Sequence, residues 1–190
     1  MKVVAFNGSP RKDGNTAVLI DLVLDELKAE GIETELINLA GKNLLDCQAC
    51  RKCFENRDKR CSITKDEMNG YIESMLIADG IIIGSPVYFS NYTSNIKSLI
   101  DRAGYVARAN DEMFRRKVGA AVVAVRRAGA LPTFDSINHF FLISQMIIPG
   151  SSYWNMGYGH DKGDVKEDAE GLGIMRTLGR NMAWLLKKLG

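Results

Sequence analysis

A five-stranded parallel α/β sheet of order 2-1-3-4-5, doubly wound with helices on both faces, is the fold this sequence predicts. Three observations carry that prediction. Strand-like and helix-like segments alternate five times along the chain, the pattern of parallel strands joined by helical crossovers. The runs Gly80–Gly84, with three consecutive isoleucines, and Val118–Val125 are apolar, as strands covered on both faces must be. A Gly-Ser-Pro step follows both the first and the third predicted strands. In this strand order those two are neighbours whose connections leave in opposite directions, so a crevice opens at their carboxyl ends.

The elements follow in order. Lys2–Asn7 is a short β-branched run and reads as a buried strand. Val18, Leu19, Leu22, Val23 and Leu27 recur at helical spacing, with Asn15 placed as the N-cap and Gly31 as the stop. Thr34–Leu39 alternates and gives the second strand. Residues 40–65 form a polar, cysteine-bearing loop without a period. A helix over Asp66–Asp79, the strand Gly80–Gly84 and a helix over Tyr92–Val106 come next. They are followed by the strand Val118–Val125, a helix over Phe134–Ile147, a fifth strand within Pro149–Asn155 and a closing helix over Asp168–Leu189. With no internal repeat and no linker, residues 1–190 read as a single domain.

Composition narrows the function. The chain has 190 residues, 46% hydrophobic and 25% charged, which suits one sizeable core. A net charge of +2 and the absence of a basic face with interleaved aromatics argue against nucleic acid. Lys12, Arg115–Lys117 and Arg126–Arg127 are local basic clusters only. No apolar run reaches the roughly 18 residues of a membrane span, and Ser144 and Gln145 interrupt the longest, Phe140–Ile148. The first apolar stretch is too short for a signal-peptide core, so the expected location is the cytoplasm.

The loop Gly8-Ser-Pro-Arg-Lys-Asp-Gly-Asn-Thr16 stands between a strand and a helix N-terminus. Free N–H groups and a partial positive charge collect there. Ser9 and Thr16 add hydroxyls, Asn15 an amide and Arg11 a permanent cation. Gly8 and Gly14 let the backbone approach an anion. The set suits a phosphate monoester; the plainer alternative is a tight loop with an ordinary cap. It lacks the Gly-Lys-Ser/Thr ending of a nucleoside-triphosphate loop and the three-glycine dinucleotide spacing. In the second loop, Gly84–Asn91, Pro86, Val87, Tyr88 and Phe89 offer an apolar surface for a flat ring, or else pack in the core. Ser90 and Asn91 can bond a ring's polar edge. A third loop, Val125–Ala130, reaches the same rim with Arg126, Arg127 and Gly129.

The pattern Gly-Ser-Pro-Arg-x-x-Gly-Asn-Thr, then Gly-Ser-Pro-Val-Tyr, resembles the NADPH-dependent FMN reductase superfamily over nearly the whole chain, including Arg180–Leu186. The resemblance implies a flavodoxin-like fold and bound FMN. It implies phosphate contacts from Ser9, Arg11, Gly14, Asn15 and Thr16 and ring contacts from Pro86 through Asn91. Arg127 and Gly129 join the site from the third loop, where an arginine would stabilise an anionic reduced flavin. A homodimer or homotetramer, with a neighbouring chain closing the flavin site, is implied as well.

All four cysteines fall in one loop, as Cys47-x2-Cys50-x2-Cys53 followed by Cys61. Three thiolates at that spacing converge on one small inorganic body and a remote fourth can close a [4Fe–4S] cube. Zinc, which favours two separated pairs, and free thiols are the alternatives. Arg51, Lys52, Arg57, Lys59 and Arg60 would offset thiolate charge. The arrangement resembles the iron-sulfur flavoproteins of anaerobes, which implies electrons passing from a ferredoxin-like donor through a cluster to FMN. Two other readings are an NAD(P)H-dependent reductase of quinones or other small acceptors with unmetallated cysteines, and a non-enzymatic redox-sensing module. His139 and Trp184 read as packed or interface residues, Trp154 as a rim residue. No nucleophilic catalytic set is legible.

Overall fold

A computed structural model describes residues Met1–Gly190. Five strands form one parallel sheet in the order β2-β1-β3-β4-β5. They are β1 (Lys2–Asn7), β2 (Glu33–Asn38), β3 (Gly80–Pro86), β4 (Val118–Val125) and β5 (Met156–Tyr158). The helices are α1 (Asn15–Ala29), α2 (Lys52–Asn56), α3 (Met68–Ile77), α4 (Ser94–Ala109), α5 (Ala130–Ile143) and α6 (Ala169–Leu189). The strand order and the helical crossovers are those expected from the sequence.

The pleat divides the core into two layers, because successive side chains of a strand point to opposite faces. Val3, Ala5, Ile82, Ala120 and Val122 pack with Leu19, Ile20 and Val23 of α1 and with Leu178 and Met182 of α6. Val4, Phe6, Ile81, Ile83 and Ala121 face the other way, toward Ile72 of α3, Leu99 of α4 and Phe141 of α5. Full burial of each valine, leucine, isoleucine, methionine or phenylalanine among them stabilises by about 1.5–3 kcal/mol. In register, Val3 stands beside Gly80 and Gly80 beside Val118, which aligns the carboxyl ends of β1, β3 and β4 at one rim.

Several elements differ from the sequence reading. Gly14, not Asn15, is the N-cap of α1, and Asn15 is its first residue. Helix α5 begins at Ala130, four residues before the expected Phe134. Pro132 lies in its first turn, where a missing N–H loses no helical bond, and the helix ends at Ile143 before Gln145 turns left-handed at φ 57°. The fifth strand is Met156–Tyr158 rather than a segment of Pro149–Asn155. Pro149 has no N–H to donate, and the segment folds onto itself with the Ser151 hydroxyl in hydrogen-bond reach of the Tyr153 carbonyl and Asn155 Oδ1. The cysteine loop contains the short helix α2, with left-handed residues at both ends.

Candidate flavin site and cysteine pocket

The loops after β1 and β3 are joined by hydrogen bonds at the rim. Gly8 N–H donates to the Gly84 carbonyl at 2.8 Å. The buried Thr93, at the head of α4, donates its hydroxyl to the Gly8 carbonyl at 2.8 Å, and its own N–H bonds Ser85 Oγ at 3.1 Å. Asn7, fully buried at the end of β1, accepts from Ser9 N–H at 3.0 Å and donates to Asn38 Oδ1 at 2.8 Å. A Cβ at Gly8 would stand 2.3 Å from Ile96 Cγ1, so only glycine fits between the loop and α4. Two rim loops and the end of β2 are thus tied to one another.

Several polar groups at this junction have no partner within the chain. The N–H groups of Asn15, Thr16 and Ala17 open α1 and precede the first intrahelical donor, Val18, which bonds the Gly14 carbonyl. Ser9 and Thr16 are buried, and the Thr16 hydroxyl makes no hydrogen bond in the fold. Arg11 is exposed and makes no ion pair. These donors fit a phosphate. The Asn15 amide is engaged elsewhere: it donates to the Asp161 carbonyl at 2.9 Å and accepts from Gly163 N–H at 2.8 Å. It therefore holds the 159–165 segment, which contains His160, and leaves its backbone N–H for an anion.

The second loop ends in a two-residue turn. Tyr88 and Asn91 exchange backbone hydrogen bonds of 2.8 and 3.0 Å, while Phe89 and Ser90 take φ of 48° and 59°. Two non-glycine residues in that region store strain, which collects at ligand sites. Tyr88, Phe89, Ser90 and Asn91 are exposed, Phe89 completely; none is core. Gly129, at φ 87°, caps α5 and presses on this turn: a Cβ there would stand 3.0 Å from Ser90 Cα and Val87 Cγ1. Arg127 and Gly129 line a neighbouring depression with Trp154, at the rim as expected. Trp184 is exposed on α6, and His139 is exposed on α5 in a groove against α4, so neither is core.

The four cysteines, all free, line one pocket together with Arg51, Ser62, Arg102 and Tyr105. Ala49 and Arg51 turn left-handed, at φ 49° and 57°, and curl the loop around it. Cys61 is the most tightly held: Asn69 accepts its N–H at 2.7 Å and donates to its carbonyl at 2.9 Å. Cys50 Sγ lies 3.3 Å from Ser62 Oγ. That hydrogen bond, helped by the Lys52 N–H, lowers the Cys50 thiol pKa, whereas burial raises that of Cys53. No three thiol, carboxylate or imidazole groups converge closely enough to hold a single metal ion.

A profile of the family described as NADPH-dependent FMN reductase matches residues 1–161. The chain belongs to that family. It is 41% identical over 194 residues to an iron-sulfur flavoprotein of Methanocaldococcus jannaschii, with 98% of each chain covered. To a second iron-sulfur flavoprotein of that organism it is 35% identical over 200 residues, covering both chains fully. A solved flavodoxin, WrbA-like protein from Agrobacterium tumefaciens superposes with a TM-score of 0.66 at 14% identity, over 98% of this chain and 97% of that one. The fold is flavodoxin-like, and the protein is an FMN-dependent oxidoreductase.

In this FMN reductase family member, the unpartnered donors of the first loop and the exposed Tyr88–Asn91 turn stand at the same rim. Asn7, Ser85, Thr93 and Asn95 escaped the sequence reading. Asn95, on α4, donates to the Leu39 and Lys42 carbonyls at 3.0 and 3.1 Å and ties the start of the cysteine loop to the rim. Arg102 and Asp66, the ion pair behind the cysteines, escaped as well. A charged residue among the apolar positions of a predicted helix was the available signal for Arg102.

Proposed function

We propose that this oxidoreductase passes electrons between a one-electron donor, a [4Fe–4S] cluster on Cys47, Cys50, Cys53 and Cys61, and FMN at the rim. The observation that carries the reading is that all four cysteines line a single pocket. They do so in a loop that leaves β2 beside the phosphate-binding loop of β1. A four-iron cube offers its ligand positions at separate corners, which accords with thiols that share a pocket without meeting at one point. The names of the two relatives as iron-sulfur flavoproteins support it.

The flavin can exchange one or two electrons and a cluster exchanges one, so together they would couple a one-electron donor to a two-electron acceptor. The chain's part is position and charge. Ser9, Arg11, Asn15 and Thr16 would hold the phosphate through backbone N–H groups, hydroxyls and a cation, while Gly14, whose own N–H bonds the Arg11 carbonyl at 3.1 Å, would shape the loop. Pro86, Val87, Tyr88, Phe89, Ser90 and Asn91 would seat the ring, with Arg127 and Gly129 beside it. Arg51, Lys52, Arg57, Lys59 and Arg60 are exposed around the cysteines; they suit an acidic, ferredoxin-like donor by charge. The full exposure of Phe89 fits a second copy of the chain closing the site in a homodimer or homotetramer.

A second reading rests on the family description: an NAD(P)H-dependent reductase with unmetallated thiols. Anaerobic purification, iron and sulfide analysis and a visible spectrum decide between them. About four iron per chain beneath flavin bands is the expected result. Flavin bands without iron, bleached rapidly by NAD(P)H, would overturn the cluster in favour of the second reading.

A further inference from the structure

Behind the cysteine pocket lies an ion pair hidden from solvent: the Arg102 side chain is 0% exposed and that of Asp66 1%. Burying two charges is costly, and such pairs are often no more stabilising than apolar residues of the same size. What Arg102 does with its remaining donors distinguishes it. Nε–H points at Cys61 Sγ, at 3.3 Å. One terminal nitrogen reaches Asp66 and the Leu45 carbonyl at 3.1 Å. The other reaches the Ile63 carbonyl at 2.9 Å. Leu45 precedes the first cysteine by two residues and Ile63 follows the last by two. A single guanidinium therefore closes both ends of the cysteine segment and aims an N–H at one of its sulfurs. Asp66 completes the frame by accepting from the Leu45 N–H at 2.9 Å and the Met68 N–H at 3.3 Å.

No guanidinium supports the other thiols; Cys50 is exposed and meets only a serine hydroxyl and the Lys52 N–H of its own loop. Cys61 is held at its N–H and carbonyl by Asn69 and at its sulfur by Arg102, all from α3 and α4 beneath the loop. The planar fork of arginine can serve four acceptors in fixed directions, which the compact ammonium of lysine cannot.

We propose that Arg102 is a positioning residue for the cluster: it fixes Cys61 as the preformed corner and its N–H···S bond raises the cluster's reduction potential. The inference rests on the cluster reading above. An N–H donated to a ligating sulfur draws electron density from it and favours the more negative, reduced form. Loss of that bond shifts the balance toward the oxidised form.

The test is a potentiometric titration of the anaerobic holoprotein, followed by absorption and by the paramagnetic resonance of the reduced cluster. Wild type is compared with Arg102→Lys and with the double variant Arg102→Met/Asp66→Asn, which removes both charges. Flavin content and circular dichroism report folding. At a fixed ambient potential near the wild-type midpoint, the ratio of reduced to oxidised cluster is expected to fall at least tenfold in each variant. For one electron this is a shift of about 59 mV. Release of iron to a chelator is expected to quicken in both. An unchanged ratio in a folded, iron-loaded variant overturns the proposal. If the double variant does not fold, Arg102→Lys decides alone, since it keeps a cation opposite Asp66. Wild type without iron overturns the cluster reading and this inference with it, an outcome distinct from a loaded variant with an unshifted potential.

Discussion

Replacing Thr93 with valine tests the joint on which the flavin rim depends. Valine keeps the shape and removes the hydroxyl, so the Gly8 carbonyl loses its 2.8 Å donor in a buried setting. Leaving a buried acceptor unpaired costs about 1–3 kcal/mol. For a chain of this length each kcal/mol lowers the melting temperature by about 2–4 °C, which gives an expected drop of about 2–12 °C. Gly8 also bonds Gly84, so a looser Gly8 disturbs both Gly-Ser-Pro loops. FMN affinity is expected to fall as much as tenfold, or about 1.4 kcal/mol. Thr93→Ser keeps the hydroxyl and loses one methyl group, worth about 0.8 kcal/mol, and is expected to bind FMN as wild type does. The assays are thermal unfolding of the apoprotein and quenching of flavin fluorescence on titration. Equal losses in the serine and valine variants would show that packing, not the hydrogen bond, matters. A valine variant that melts and binds FMN like wild type would refute the argument that this bond sets the rim.

Arg11→Gln should weaken FMN by tenfold or more, from the loss of a charge-assisted contact of about 1.5–3 kcal/mol, while leaving affinity for phosphate-free riboflavin unchanged; paired titrations check it. Gly129→Ala forces a Cβ into a left-handed conformation at a cost of about 1–2 kcal/mol and against Ser90 and Val87; the fold should persist with FMN affinity reduced at least severalfold. Asp66→Asn leaves the Arg102 charge unpaired and should cost about 3–5 kcal/mol in urea unfolding at neutral pH. That difference should depend on acidity. Burial pushes the Asp66 carboxyl pKa up, but the Arg102 guanidinium and the Leu45 and Met68 N–H groups outweigh it and hold the pKa below 3.8. Its stabilisation is therefore complete above the unfolded value and fades as pH falls through the lower folded value, so wild type and variant should converge below about pH 3.8.

The sequence by itself determined the sheet. Apolar runs such as Ile81–Ile83 and Val118–Val125 belong between two helical layers wherever they occur, and strand–helix alternation leaves few topologies open. It also determined which chemical groups gather at the rim, because Gly-Ser-Pro-Arg before a helix and four clustered cysteines are local patterns. Tertiary structure decided what depends on neighbours distant in the chain. Asn15 looked like a cap and a phosphate amide, yet its side chain holds Asp161 and Gly163, nearly 150 residues away. Tyr88 and Phe89 could have been core; the left-handed turn at Phe89 and Ser90 turns them outward. The fifth strand moved to Met156–Tyr158 because pairing at the end of β4, not local propensity, fixed its position. Arg102 gained its role only when α4 packed beneath the cysteine loop and brought a helix residue against a sulfur 41 positions earlier. Periodicity records which residues turn inward; only packing decides which sulfur, carbonyl or carboxylate they meet there.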